Sequence, residues 1–239
     1  MKQQTIAAVL FAALTAPGLA GDAAELNILG FASDGSVFAF EEFGVQDGSG
    51  FPYANRFYID VASDSFVPGT PIRVRLDDET VSVEDARAQA RSGGEAVLPD
   101  EELAANRGIT AGFNPITELS ADPHRLAVNP RPVMPAIDTP LEFRIEEIHV
   151  AQPARCEGLG EVKGYRLTRI GLSPGEEVQV LHEDSSIPTS RGCPLGYHLG
   201  AVQTFFPDGG TPVFVVVVAV RSFGFEGPDH RWIAVPGRL

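Results

Sequence analysis

The feature that most constrains this chain is an eight-residue run, Val213 to Val220, reading VFVVVVAV. It is far shorter than the roughly 20 residues that a helix needs to cross a hydrocarbon core. Its β-branched side chains are stiff at χ1 and favour extended backbone. A strand with no polar face has nothing to offer water, so the run reads as a central strand buried on both faces. Pro212 marks its start and Arg221-Ser222 its end. A hydrophobic content of 44% over 239 residues supplies enough apolar material for the core this strand requires. That length fits one domain or two small ones.

Extended patterns recur on either side of a helical middle. Leu26 to Leu29, Val37 to Phe40 and Arg56 to Val61 read as strands, separated by a turn at Ser33-Asp34-Gly35 and a loop at Gln46 to Gly50. The Asp-Gly pairs provide the positive φ that tight turns require. Ser82 with Asp85 three residues on forms a capping arrangement, Val83, Ala86 and Ala90 share a helical face, and Gly93-Gly94 ends the helix. A second helix is expected from Pro99 to Arg107, with three acids in its first turn and Gly108 beyond its end. Residues 110–140 are rich in Pro and are expected to be irregular. Leu141 to Val150 resumes a strand pattern, with a break at Glu146-Glu147.

The start of the chain reads as an export signal. Lys2 supplies a positive charge, Ile6 to Leu14 is a short apolar run, and Pro17-Gly18 breaks it. Gly18-Leu19-Ala20 places small residues where a signal peptidase cuts. The expected division is a signal over residues 1–20 and one β-rich domain over 21–239, with a helical and irregular insertion around 80–140. No later segment is long enough to span a membrane. The formal net charge of −14 repels phosphate backbones and argues against nucleic acid as a partner.

Export bears on the two cysteines, Cys156 and Cys193, which sit in polar segments rich in Gly and Pro. An oxidising compartment favours their pairing. That bridge would close a loop of about 38 residues and contribute roughly 4 kcal/mol in the chain-entropy treatment. A zinc site using both thiols and His198 is the alternative, but paired-ligand spacing such as C-x-x-C is missing.

Three segments repeat one theme: a turn around Ser33-Asp34-Gly35, around Gly171 to Gly175, and around Pro207-Asp208-Gly209, each leading into an apolar strand. The first and last copies continue to a Gly-Phe pair, Gly50-Phe51 and Gly224-Phe225. Each then reaches an aromatic strand, Arg56-Phe57-Tyr58-Ile59 or Arg231-Trp232-Ile233. Such turns resemble the blade repeats of β-propellers, including TolB-type proteins. About three blade lengths are too few for a closed propeller. The expected fold is therefore mainly β, a sandwich or open barrel with propeller-like hairpins and a small helical insertion; a truncated propeller is the alternative.

No motif carries a complete chemistry. Gly171-Leu172-Ser173-Pro174-Gly175 matches the nucleophile elbow G-x-S-x-G, but Pro174 has no N–H for an oxyanion hole and a strand follows rather than a helix. His182-Glu183-Asp184 lacks the helical two-histidine spacing of a metalloprotease. His124, His149, His198 and His230 are scattered singly. Glu41-Glu42, Glu146-Glu147 and Glu226 with Asp229 are expected to be solvated charge, because adjacent strand residues face opposite sides. Asp47 to Gly50 has too few acids for a calcium loop. Neither a metal nor a cofactor is expected.

Two segments stand out as possible recognition loops: Ser186 to Pro194, which carries Arg191, and Gly224 to Trp232, which carries Glu226, Asp229, Arg231 and Trp232. Stiff loops cost less entropy on binding, though such residues also serve as tight connections between strands. Together with Gly48 to Tyr53, these segments resemble a family of predicted secreted bacterial proteins of unknown function, over essentially the whole mature chain. The resemblance implies export in a Gram-negative bacterium and brings no catalytic residues with it. The function expected is a non-enzymatic periplasmic or secreted module that binds an envelope protein or glycan. The alternatives are a hydrolase of envelope polymers using Glu226, Asp229 or His182, and a structural envelope protein.

Overall fold

The computed structural model of the protein describes residues 21–172 and 175–239. The export signal and the Ser173-Pro174 centre of the G-x-S-x-G match lie outside the described residues. The first sheet is built from β1 (Glu25–Phe31), β2 (Val37–Val45), β3 (Pro52–Asp60), β4 (Ser65–Phe66) and β5 (Ile72–Arg75). It runs β1-β2-β3, and β4 and β5 both pair with β3. Helices α1 (Val83–Gly94) and α2 (Asp100–Ala105) follow. After β6 (Ile109–Phe113), a second sheet is formed by β7 (Arg125–Val128), β8 (Leu141–His149), β9 (Lys163–Ile170) and β10 (Gln179–Glu183). The third combines β6 with β11 (Pro194–Phe205), β12 (Val213–Ser222) and β13 (Asp229–Arg238), in the order β13-β12-β11-β6. All strand pairs named here are antiparallel.

The sheet containing β12 lies between the other two, and the alternation of β12 builds two cores. Val213, Val215, Val217 and Ala219 pack into a cluster with Phe31, Phe38, Phe40 and Phe57 of the first sheet. Phe214, Val216, Val218 and Val220 pack with Phe143, Ile145, Tyr165 and Leu167 of the second. Successive strand side chains point to opposite faces, so an unbroken apolar run supplies both layers. The fold is a layered β-sandwich, and the described strands form no closed barrel. The three repeated turns fall one in each sheet, joining β1 to β2, β9 to β10 and β11 to β12. Their glycines, Gly35, Gly175 and Gly209, all take positive φ, near +76°, +86° and +70°. That shared turn chemistry accounts for the repeat within stacked hairpins.

Helix α1 forms as its sequence directs. The Ser82 side chain accepts the Asp85 N–H, the Asp85 side chain accepts the Ser82 N–H, and Ala86 and Ala90 are buried against the first sheet. Helix α2 is shorter than expected, ending at Ala105. The expectation of irregular structure over residues 110–140 is corrected: β6 pairs with β11 and β7 with β8 inside that stretch. Pairing to β11 and β8 overrides a weak local pattern. The expected break at Glu146-Glu147 is also absent. β8 continues through it, with Glu146 opposite Arg166 and Glu147 accepting the Tyr197 N–H.

Candidate functional site

β13 is an edge of the central sheet, and the two outer sheets approach each other across it. The cleft they leave has a volume of about 290 Å³. From the first sheet come Glu42, Asn55, Phe57, Phe66 and Arg73, with Asp64 from the β3–β4 turn. Tyr165, His182 and Arg191 form the opposite wall, and residues 231–235 of β13 form the floor.

Disulfide-linked geometry supports the Arg191 wall. Cys156 and Cys193 are bonded, with Cα atoms 5.6 Å apart, which displaces the zinc alternative. Cys156 is fully buried although its segment reads as a loop. The Arg155 guanidinium donates to the carbonyls of Ile187, Pro188 and Gly192 and so gathers the turn around the bridge. Arg191 then reaches inward, pairs with Asp184, and lies over the rings of Tyr165 and Tyr197 at 4.9 and 5.9 Å. Asp184 also accepts the Tyr165 N–H and bonds the His182 ring at 3.0 Å. Burial pushes the Asp184 carboxyl up, but the bonds from His182, Tyr165 and Arg191 outweigh it and hold it below its usual value. His182 stacks on Tyr165 with ring centroids 4.5 Å apart, which fixes the imidazole plane against the cleft.

A second network supports the other wall. Arg231 pairs with Asp22, donates to the Asp22 carbonyl, and lies 4.7 Å from the Tyr53 ring centroid. Tyr53 donates to the same carboxylate at 2.8 Å. Trp232 donates its indole N–H to the Ala24 carbonyl and its backbone N–H to Glu42. Burial raises both Asp22 and Glu42 despite these donors. The expectation of solvated charge at Glu41-Glu42 is therefore corrected, since both are 2% exposed. Glu41 is neutralised by Arg56 and Arg87, and Glu42 is hydrogen-bonded by Trp232 and Asn55. Such partners satisfy the buried carboxyl oxygens where water is excluded.

Of the residues singled out in the sequence, Arg191, Arg231 and Trp232 meet in this cleft, joined by His182. Glu226 and Asp229 lie elsewhere: the Glu226 N–H donates to Asp47, and Asp229 accepts the Asp22 N–H. Tyr165, Phe57, Phe66, Asp64 and Arg73 were not singled out. Phe57 and Arg73 belong to alternating strand patterns, the ordinary mark of a two-faced strand. Gly200 is a further unmarked support, because a Cβ there would sit 2.3 Å from the Trp232 ring. Among the described residues no group of three His, Cys, Asp or Glu side chains is placed to hold a metal ion. No described helix is long and apolar enough to cross a membrane.

The fold and cleft define an all-antiparallel sandwich with a small edge-strand cleft of mixed charge and aromatic walls. The chain belongs to the family described as Predicted secreted protein (DUF2259), which matches residues 39–238 and so covers every cleft residue. The likeness to TolB-type turns is not confirmed by that match. Neither the curated proteins nor the solved structures yield a match to this chain.

Proposed function

We propose that the protein is a non-enzymatic binding module, exported to the periplasm or beyond in a Gram-negative bacterium, and that its partner is a component of the cell envelope. The observation that carries this reading is the convergence of two sequence-distant segments, around Arg191 and around Arg231-Trp232, on one cleft. Each wall is held by ion pairs and stacked rings, which lowers the ordering cost of binding. Arg73 and Phe66 are exposed at the mouth, where both lie against the Phe57 ring of the cleft wall, so they are the residues to alter. Mature protein is to be tested against periplasmic extract and an array of envelope glycans, beside Arg73→Glu and Phe66→Ala. A partner lost in both variants is the expected result. A partner retained by both, or no partner in either format, overturns the cleft as the binding site.

A second reading, hydrolysis of envelope polymers, rests on His182, whose ring is oriented by Asp184 and faces Asp64 across the cleft. Desolvation raises the Asp64 carboxyl and His182 opposes it, a pairing also used in acid–base catalysis. Release of soluble fragments from cell-wall polymer that vanishes in His182→Ala would favour this reading over binding alone.

A further inference from the structure

The floor of the cleft is a strand edge whose outward groups follow a strict parity. The N–H and C=O of His230 point away from β12, bonding the Asp22 carbonyl and the Ala24 N–H. Antiparallel pairing alternates bonded and non-bonded residues, so Trp232, Ala234, Pro236 and Arg238 also point outward. The Trp232 N–H bonds Glu42, the Arg238 carbonyl accepts from Arg169, and Pro236 has no N–H to offer. On the opposite parity, the Leu239 N–H reaches back to Pro212, as the alternation requires.

This leaves a short open window. Among the described residues, the Trp232 carbonyl and both backbone groups of Ala234 face away from β12 and make no backbone hydrogen bond, and Ala234 is only half-buried. Both ends of the edge are closed, by the chain's own residues 22–24 and Glu42 on one side and by Pro236 on the other. Covering or interrupting an edge is how sheets avoid unwanted pairing. Here the protection stops where the cleft opens. Residues 22–24 also demonstrate the mode, since Ala23 forms a parallel bridge with His230 on this same edge.

We infer that the cleft accepts a short extended peptide segment that adds as a strand to β13 at Trp232–Ala234 and carries a carboxylate side chain toward Arg73. The inference rests on the binding reading above and names its partner class. One peptide residue can exchange both backbone bonds with Ala234, and a second N–H can reach the Trp232 carbonyl. Alternate side chains then meet the Phe57 and Phe66 wall or the Tyr165 and Pro188 wall. A cleft of about 290 Å³ suits a few residues rather than a folded surface. The exposed Arg73 guanidinium lies 5.4 Å from the Phe57 ring centroid at the mouth, complementary to an acidic side chain.

The test pans a random nonapeptide phage library on the mature protein, with the glycan array run in parallel. Selected peptides enriched in Asp or Glu are expected. Methylating the one peptide nitrogen that faces Ala234 should weaken binding about tenfold, the scale of a lost hydrogen bond between backbone groups. Ala234→Pro, which removes the same N–H that Pro236 already lacks two residues on, should have a similar effect. Amide exchange gives a readout independent of that variant's folding: the Ala234 amide should exchange faster than those of Ile233 and Val235 in the free protein and become protected on binding. If peptides bind with no sensitivity to N-methylation and no protection at Ala234, strand addition is wrong while the cleft reading survives. Glycan binding without peptide binding likewise rules out strand addition and leaves the cleft reading standing. Absence of both overturns the two readings together.

Discussion

Breaking the Cys156–Cys193 bridge tests how far a covalent link, rather than packing, holds the Arg191 wall. The bonded residues are 37 apart in sequence. A closed loop of that length removes about 13 cal/mol/K from the unfolded chain, or about 4 kcal/mol at 25 °C. For a chain of this size that corresponds to a fall in melting temperature of about 8–16 °C. Alanine is the replacement to use at both positions, because Cys156 is fully buried and a serine hydroxyl there would need a new partner. Thermal unfolding of the oxidised wild type, the same protein in reductant and the Cys156→Ala/Cys193→Ala variant separates the link from the lost sulfur volume. Reductant changes only the link, and the variant adds a small cavity cost. The three carbonyl bonds from Arg155 remain in all forms, so the wall should loosen rather than detach. A fall below about 3 °C on reduction, or two free thiols in the intact mass of exported protein, would refute the reasoning.

Three other perturbations follow from named contacts. Gly200→Ala should displace the Trp232 ring, costing about 1–3 kcal/mol through overpacking, and should alter tryptophan fluorescence. Ser82→Ala removes one half of the α1 capping box and should cost about 1 kcal/mol in chemical denaturation. Glu142 is held down to about 2 by hydrogen bonds and charge from Arg125 and Arg144. Because its folded value lies below its unfolded one, its contribution is complete above the ordinary carboxylate range and is lost as pH falls toward 2. Carboxyl titration by NMR should find Glu142 ionised when most exposed acids are already protonated, and Glu142→Gln should flatten the stability loss across that window.

The residues that report on their own neighbours were legible in the sequence. Val213 to Val220 announces a strand covered on both faces, Ser82 and Asp85 announce a helix start, and the Asp-Gly turns announce hairpins, because each depends on chemistry within a few residues. The two cysteines needed only the compartment and each other. The stacking order did not follow from such patterns. Alternation in β12 shows that both faces need cover without naming which sheets supply it. Glu42 shows the limit most clearly: beside Glu41 on a strand it reads as solvated charge, yet it is buried, with Asn55 of the neighbouring strand and Trp232, 190 residues away, donating to its carboxyl oxygens. The same holds for the cleft, since Arg191 and Arg231 become neighbours only when the outer sheets close over β13. Local sequence decided the central strand, the hairpin turns and the bridge; pairing to distant strands decided β6 and β7, and burial across distant strands, where water is replaced by specific partners, decided the site.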